Sequence, residues 1–173
     1  MRRIVLRLLL IPAMLGLSLA TAVPAQAHAR FLDVTINRTL TEAPSGPFAG
    51  FSIVLSGAGT FSRTEPSKVH VSGTFFVRDA SGDVVDHGAW RANSLVSFHS
   101  YGFIPGSPFL GGDAMFVVTF QDTMGHTDQV SDFDVQCLIG SPPPDAEEGV
   151  SIASIGFSEK IEGPHRFTLF EAI

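Results

Sequence analysis

The sequence predicts an all-β fold: an antiparallel β-barrel of about eight to ten short strands, with a two-sheet β-sandwich as the alternative. Three observations point there. Apolar and polar residues alternate with period two in several runs. No segment beyond residue 27 carries a helical apolar stripe, and Gly- and Pro-bearing turn signals separate the runs at short intervals. The barrel is preferred because one sheet of this length loses its exposed edges by closing on itself.

In chain order, strands are expected at 31–37, 50–56 and 58–63. The run "SKVHVSGTFFV" (67–77) sets Val69, Val71, Phe75 and Val77 against Lys68, His70, Ser72 and Thr74. "DASGD" (79–83) reads as a hairpin loop, with Gly82 free to take a positive φ, and leads to strands at 84–91 and 95–101. The run "AMFVVTFQ" (114–121) is apolar on both parities until Thr119, as a central strand is. "TMGH" (123–126) turns it into 130–139, where Phe133, Val135, Cys137 and Ile139 alternate with Asp132, Asp134 and Gln136. Strands at 150–157 and 166–171 follow. Two longer connections, "IPGSPFLGGD" (104–113) and "GSPPPDAEEG" (140–149), are rich in Pro and Gly; the second is acidic and expected to be exposed. Gly111 and Gly112 in the first would let one end of the barrel move.

Residues 1–27 stand apart. Arg2, Arg3 and Arg7 precede an apolar run from Leu8 to Leu19, and Ala25-Gln26-Ala27 is a small-x-small cleavage pattern. This is the order of a secretory signal, too short in its apolar part for a membrane span. Cleavage after Ala27 or Ala29 would release a secreted or periplasmic product, a single domain spanning 28–173. The segment takes three of the eleven Lys+Arg with it and none of the seventeen Asp+Glu, so the remainder carries a net −9. An acidic surface repels nucleic acid and anionic lipid, and neither is expected as a partner. With Cys137 as the single cysteine no internal disulfide forms, so packing must hold the fold. All fifteen phenylalanines lie beyond the signal and supply the material.

The stretch "HGAWRANSLVSFHSYG" (87–102) holds the only tryptophan, Trp90, the only tyrosine, Tyr101, and two histidines. If 95–103 is a strand, Leu95, Ser97, His99, Tyr101 and Phe103 share one face, and Val96 and Phe98 the other. Turned into a closed barrel, the mixed face describes a mostly apolar pocket with a few polar groups; turned outward, it is an ordinary wet strand. The candidate ligand-binding residues are Ser97, His99, Tyr101, Trp90 and His87. A cavity of roughly 300 Å³ or more beside His99 and Tyr101 would mark the pocket. Trp90 has a bland reading too, as a core residue whose indole N–H finds an acceptor.

Other signals are weaker. Asp122, His126, Asp128, Asp132 and Asp134 crowd a hairpin, but lack the spacing of a calcium loop and read as a solvated face, so no metal site is expected. Asn37-Arg38-Thr39 matches the glycosylation sequon and is read as coincidence. Cys137 lies on the apolar parity of its strand, an inert buried thiol. No hydrolase elbow, zincin motif or cysteine pair occurs, and no cofactor is implied.

The segments "SGAGTFSR" (56–63), "HGAWRA" (87–92), "SFHSYG" (97–102), "VQCLIGSPPP" (135–144), "EEGV" (147–150) and "TLFE" (168–171) resemble a group of small exported bacterial all-β proteins without assigned function. That resemblance implies a shared domain and no catalytic residues. The Gly-x-Gly-x-Phe pattern is also similar to hairpins of allene oxide cyclase and dirigent-type barrels. Three functions remain open. The first is a secreted barrel that binds a small apolar or amphipathic ligand. The second is a cyclase- or isomerase-type enzyme using His99, Tyr101 and His87 or Asp86 for proton transfer; lacking a catalytic motif, the sequence leans away from it. The third is a structural or surface interaction module. The oligomeric state stays open.

Overall fold

The computed structural model describes residues 29–161, 163–164 and 166–173; the signal expected at 1–27 lies outside them. Nine strands are found among the described residues. They are β1 Phe31–Glu42, β2 Ser52–Ser62, β3 Val69–Arg78, β4 Val84–Phe103, β5 Phe109–Asp122, β6 Thr127–Cys137, β7 Gly149–Ile152, β8 Glu159–Ile161 and β9 Phe167–Ala172. Two single 3-10 turns, Gly46–Phe48 and Ala153–Ile155, lie between strands. All nine strands join one antiparallel sheet in the order β4-β3-β2-β1-β9-β5-β6-β7, with β8 on β1. Because β4 also pairs with β5, six strands close into a ring. The first strand serves two partners: Leu32–Asn37 pair with β9, and Leu40–Glu42 pair with β8. No helix among the described residues is long and apolar enough to cross a membrane.

Aromatic side chains from opposite strands fill the inside. Phe61 on β2 meets Phe116 on β5 at 5.3 Å, Phe98 on β4 at 5.6 Å and Phe170 on β9 at 6.0 Å between ring centroids. Beside this layer, Trp90 lies 4.9 Å from Phe133, which lies 6.1 Å from Phe120; Phe120 lies 5.3 Å from Phe75. Burying each such ring contributes about 1.5–3 kcal/mol, and the edge-to-face pairs add to that.

Trp90 fits because glycines make room for it. Gly57 faces Gly73 across β2 and β3, and Gly73 faces Trp90 across β3 and β4. The indole reaches over this pair, and a Cβ on Gly57 would stand 2.3 Å from its ring. Its Nε1–H is shared between the carbonyls of Ser56 and Thr74, each at 3.2 Å. The bland reading of Trp90 is thus the observed one: it is 2% exposed and part of the core.

Several strand boundaries differ from those expected. The runs 50–56 and 58–63 form one strand, β2, and 84–91 and 95–101 form one strand, β4. The segment 150–157 is a strand only to Ile152 before it turns, and β8 carries no signal strong enough to have been expected. Gly111 and Gly112 belong to no mobile loop. Both are buried in β5, where a Cβ on Gly111 would stand 1.7 Å from the Ile139 carbonyl oxygen. The expected hairpin turns do form, with Gly82 at φ 87° and Gly125 at φ 89°.

Replacing Gly57 with Ala drives a methyl group into the indole. The expected loss is about 1–3 kcal/mol of unfolding free energy, as for other overpacked cores, measured by urea titration of the single-tryptophan fluorescence. Wild-type stability in Gly57→Ala would show that the slot is not tight.

Candidate functional site

The structure separates the residues that the sequence grouped. In β4 the register slips at three places, between Ala92 and Ser94, Leu95 and Ser97, and Ser100 and Gly102. Each slip is a bulge that adds one residue and switches the side chains to the other face. Trp90, Ala92, Leu95, Phe98 and Phe103 therefore pack on the core, at spacings of two, three, three and five. This corrects the expectation of a shared inward face: Ser97 and His99 are exposed, and Phe98, assigned to the opposite face, points inward. His87 is exposed on β4, its ring stacked 6.1 Å from Phe76.

Tyr101 sits on the last bulge, 8% exposed, with His99 edge-on at 5.8 Å. Its surroundings are acidic. His99 faces Asp113 on β5, and Asp113 faces Gln136 on β6. Desolvation, then the charges of Asp113, Asp134 and Asp145, hold the phenol proton above its ordinary range. Asp134 is paired with Lys160, Nζ to Oδ2 at 3.1 Å, with side chains only 15% and 6% exposed. The same Oδ2 accepts from Ser151 Oγ at 3.3 Å, while Oδ1 is buried with no donor.

Asp113 supplies the missing proton. Burial, followed by its hydrogen bond to Asp134 and the Asp134 charge, raises its carboxyl to about 7; Lys160 and Gln136 oppose the rise. Two carboxylates beside one ammonium leave one negative charge in excess, and protonating Asp113 cancels it. The outer face of β5 and β6 thus carries two carboxyl groups beside one ammonium, with the Asp113 carboxyl raised to about 7.

The remaining carboxylates have separate tasks. Asp122 accepts from the Met124 and His126 amides and meets His126 Nδ1 at 2.7 Å. Desolvation alone would raise its carboxyl, but these bonds and the His126 imidazole together outweigh it and lower the carboxyl. Asp132 accepts from Ser154 N and Oγ. Glu148, in the connection expected to be merely exposed, is a clamp: it accepts from Leu138 N, Thr168 N and Thr168 Oγ1, tying β6 to β9. Cys137 is buried, and desolvation pushes its thiol to about 11, an inert form.

An apolar concavity lies elsewhere, at the end of the ring where β3 turns into β4 and β5 into β6. It encloses about 390 Å³. Phe48, Phe51, Phe75, Phe120 and Phe157 supply five aromatic walls. Phe48 is 43% exposed and bridges Phe51 at 5.9 Å and Phe157 at 6.0 Å, so the two 3-10 turns bring aromatic groups together over the opening. Val85 and Ile155 stand partly in solvent beside it. Its polar residues are Asp86, Asp122, His126, Asp128 and Gln129. Of the five candidate ligand-binding residues none lines it, whereas Asp86, named only for proton transfer, and Asp122, His126 and Asp128, read as a solvated face, do.

Comparison with protein-family models, curated protein sequences and solved structures finds no match to this chain.

A carboxyl raised in the folded state holds its proton between the unfolded value of about 4 and the folded one. Its stabilising effect is complete below the first and lost as pH rises through about 7. Unfolding free energy is therefore expected to fall between pH 5 and pH 8, and Asp113→Asn, which keeps a donor for Asp134, to flatten that slope. A slope identical in Asp113→Asn and wild type would remove Asp113 as its source.

Proposed function

We propose that this chain is an exported, barrel-like domain that binds a small apolar or amphipathic molecule at the phenylalanine-lined mouth of its strand ring. One observation carries the reading: an open apolar cavity of about 390 Å³ with Phe48, Val85 and Ile155 exposed at its rim. Leaving such surface to water is unfavourable, and its size falls within the range of small-ligand sites. The ring interior offers no rival space near Trp90 and Phe61, because aromatic side chains occupy it. In this reading the apolar body of the ligand lies against Phe48, Phe75 and Phe157, and its polar end faces Asp86 and Asp128. The acidic rim disfavours an anionic end by like-charge repulsion. His99 and Tyr101 take no part, which sets the His/Tyr enzyme reading aside in favour of binding.

The test is titration with the neutral fluorescent probe N-phenylnaphthylamine. The wild-type chain is expected to bind it, and Phe48→Ser with Ile155→Ser to weaken binding by about tenfold, the loss of roughly 1.4 kcal/mol of apolar contact. His99→Ala is expected to bind as wild type. Loss of binding in His99→Ala with retention in the double variant would move the site back to the 97–101 stretch.

A further inference from the structure

The polar residues of the phenylalanine-lined mouth carry a charge of one sign. Three carboxylates stand there: Asp86 on β4, Asp122 at the end of β5 and Asp128 on β6. No lysine or arginine lines the opening among the described residues. On the neighbouring strands, Arg78 gives its Nη1 to the Gly82 carbonyl at 2.8 Å. Arg91 follows the buried Trp90 and lies on the exposed parity of β4. The rim is a local excess of negative charge around an apolar opening.

The three acids differ in what they already hold. Asp122 is occupied by the Met124 and His126 amides and by His126 Nδ1, which spends the mouth's imidazole as well. Asp86 Oδ1 accepts from the His87 amide at 2.7 Å, and its second oxygen has no partner among the described residues. The Asp128 side chain makes neither a hydrogen bond nor an ion pair among the described residues. Asp86 and Asp128, both exposed, therefore keep oxygens free for whatever enters.

The strand register sets these two carboxylates beside apolar groups of the same opening. Asp128 faces Phe120 across β6 and β5, and Asp86 faces Val77 across β4 and β3. Directly opposed side chains share a face, with Cβ atoms about 4.5–5.5 Å apart. One ligand group can then meet a carboxylate and a ring together. Phe120 meets Phe75 edge-on at 5.3 Å, and Phe48 stacks with Phe157 at 6.0 Å. An aromatic face attracts a cation through its quadrupole, and this attraction is put to use in recognising quaternary ammonium groups. A metal ion is a poorer match, since no three His, Cys, Asp or Glu side chains among the described residues are placed to hold one.

We propose that the mouth selects organic cations: molecules with a tertiary or quaternary ammonium head, held by Asp86 and Asp128, and an apolar body laid against the phenylalanines. This rests on the mouth being a small-ligand site and adds the charge of the ligand. The carboxylates attract the head, the ring faces replace water around its alkyl groups, and an anionic head on the same body is repelled.

Isothermal titration with decyltrimethylammonium and with decyl sulfate, each below its micelle-forming concentration, holds the tail constant while the head changes sign. Asp86→Asn combined with Asp128→Asn removes both charges and keeps an acceptor for the His87 amide. Asp145→Asn combined with Glu147→Gln removes two exposed charges from the 140–149 connection, beyond the other end of β6, and controls for net charge. Trp90 fluorescence verifies that each variant is folded. Wild type and the control pair are expected to bind the ammonium about tenfold more tightly than the sulfate. The Asp86/Asp128 variant is expected to bind the two alike. Equal affinity for both heads in wild type, a preference that survives in the Asp86/Asp128 variant, or one that the control pair also loses overturns the cation site. If wild type binds both heads equally and Phe48→Ser with Ile155→Ser weakens both, the apolar mouth stands and its charge selectivity falls. If wild type binds neither, both readings fall.

Discussion

The seating of Trp90 over the Gly57–Gly73 pair is the contact on which the rest of the molecule depends. An indole is too large to lie flat on a sheet whose neighbours all carry Cβ atoms. Two facing glycines on β2 and β3 remove that obstacle, and the two carbonyls beside them take the indole proton. The ring is then drawn against Phe133, and through it against Phe120 and Phe75. One side chain therefore ties β2, β3 and β4 to β5 and β6, with no disulfide to help. The quartet around Phe61 closes the neighbouring layer by the same principle, joining strands that are distant in sequence.

That filling decides where a ligand can go. Aromatic groups pack the inside of the six-strand ring, and the apolar opening is found at its edge. At the mouth, β2 to β6 begin or end, and two short 3-10 turns bring Phe48, Ile155 and Phe157 together. Phe48 there stands partly in solvent, while Phe75, Phe120 and Phe157 are buried beneath it. The outer wall carries polar groups that serve the sheet: Asp113, Asp134 and Lys160 balance charge across β5, β6 and β8, and Glu148 fastens β6 to β9.

Much of the fold was legible because period-two alternation is a local property. Phe133, Val135 and Cys137 on β6, and Val69, Val71 and Phe75 on β3, point where their parity says. The three bulges of β4 were not legible. A bulge is set by the register of the partner strand, and β5 lies beyond a connection whose length does not fix that register. His99 and Phe98 exchanged faces for that reason alone. The site was harder still. Phe48, Phe51 and Phe157 fall outside the regular strands, in segments without periodicity, and only the closing of the ring brings them to one place.

The most direct test of a mouth-bound apolar ligand is a map of amide chemical-shift changes as N-phenylnaphthylamine is added. The account requires the changes to concentrate in 46–51, 84–86 and 153–157, with Trp90 and the 97–101 stretch quiet. Changes centred on His99 and Tyr101, or spread through the Phe61 and Trp90 layers, would contradict it, since they would mean that the ligand binds on the outer wall or that the aromatic interior yields to it.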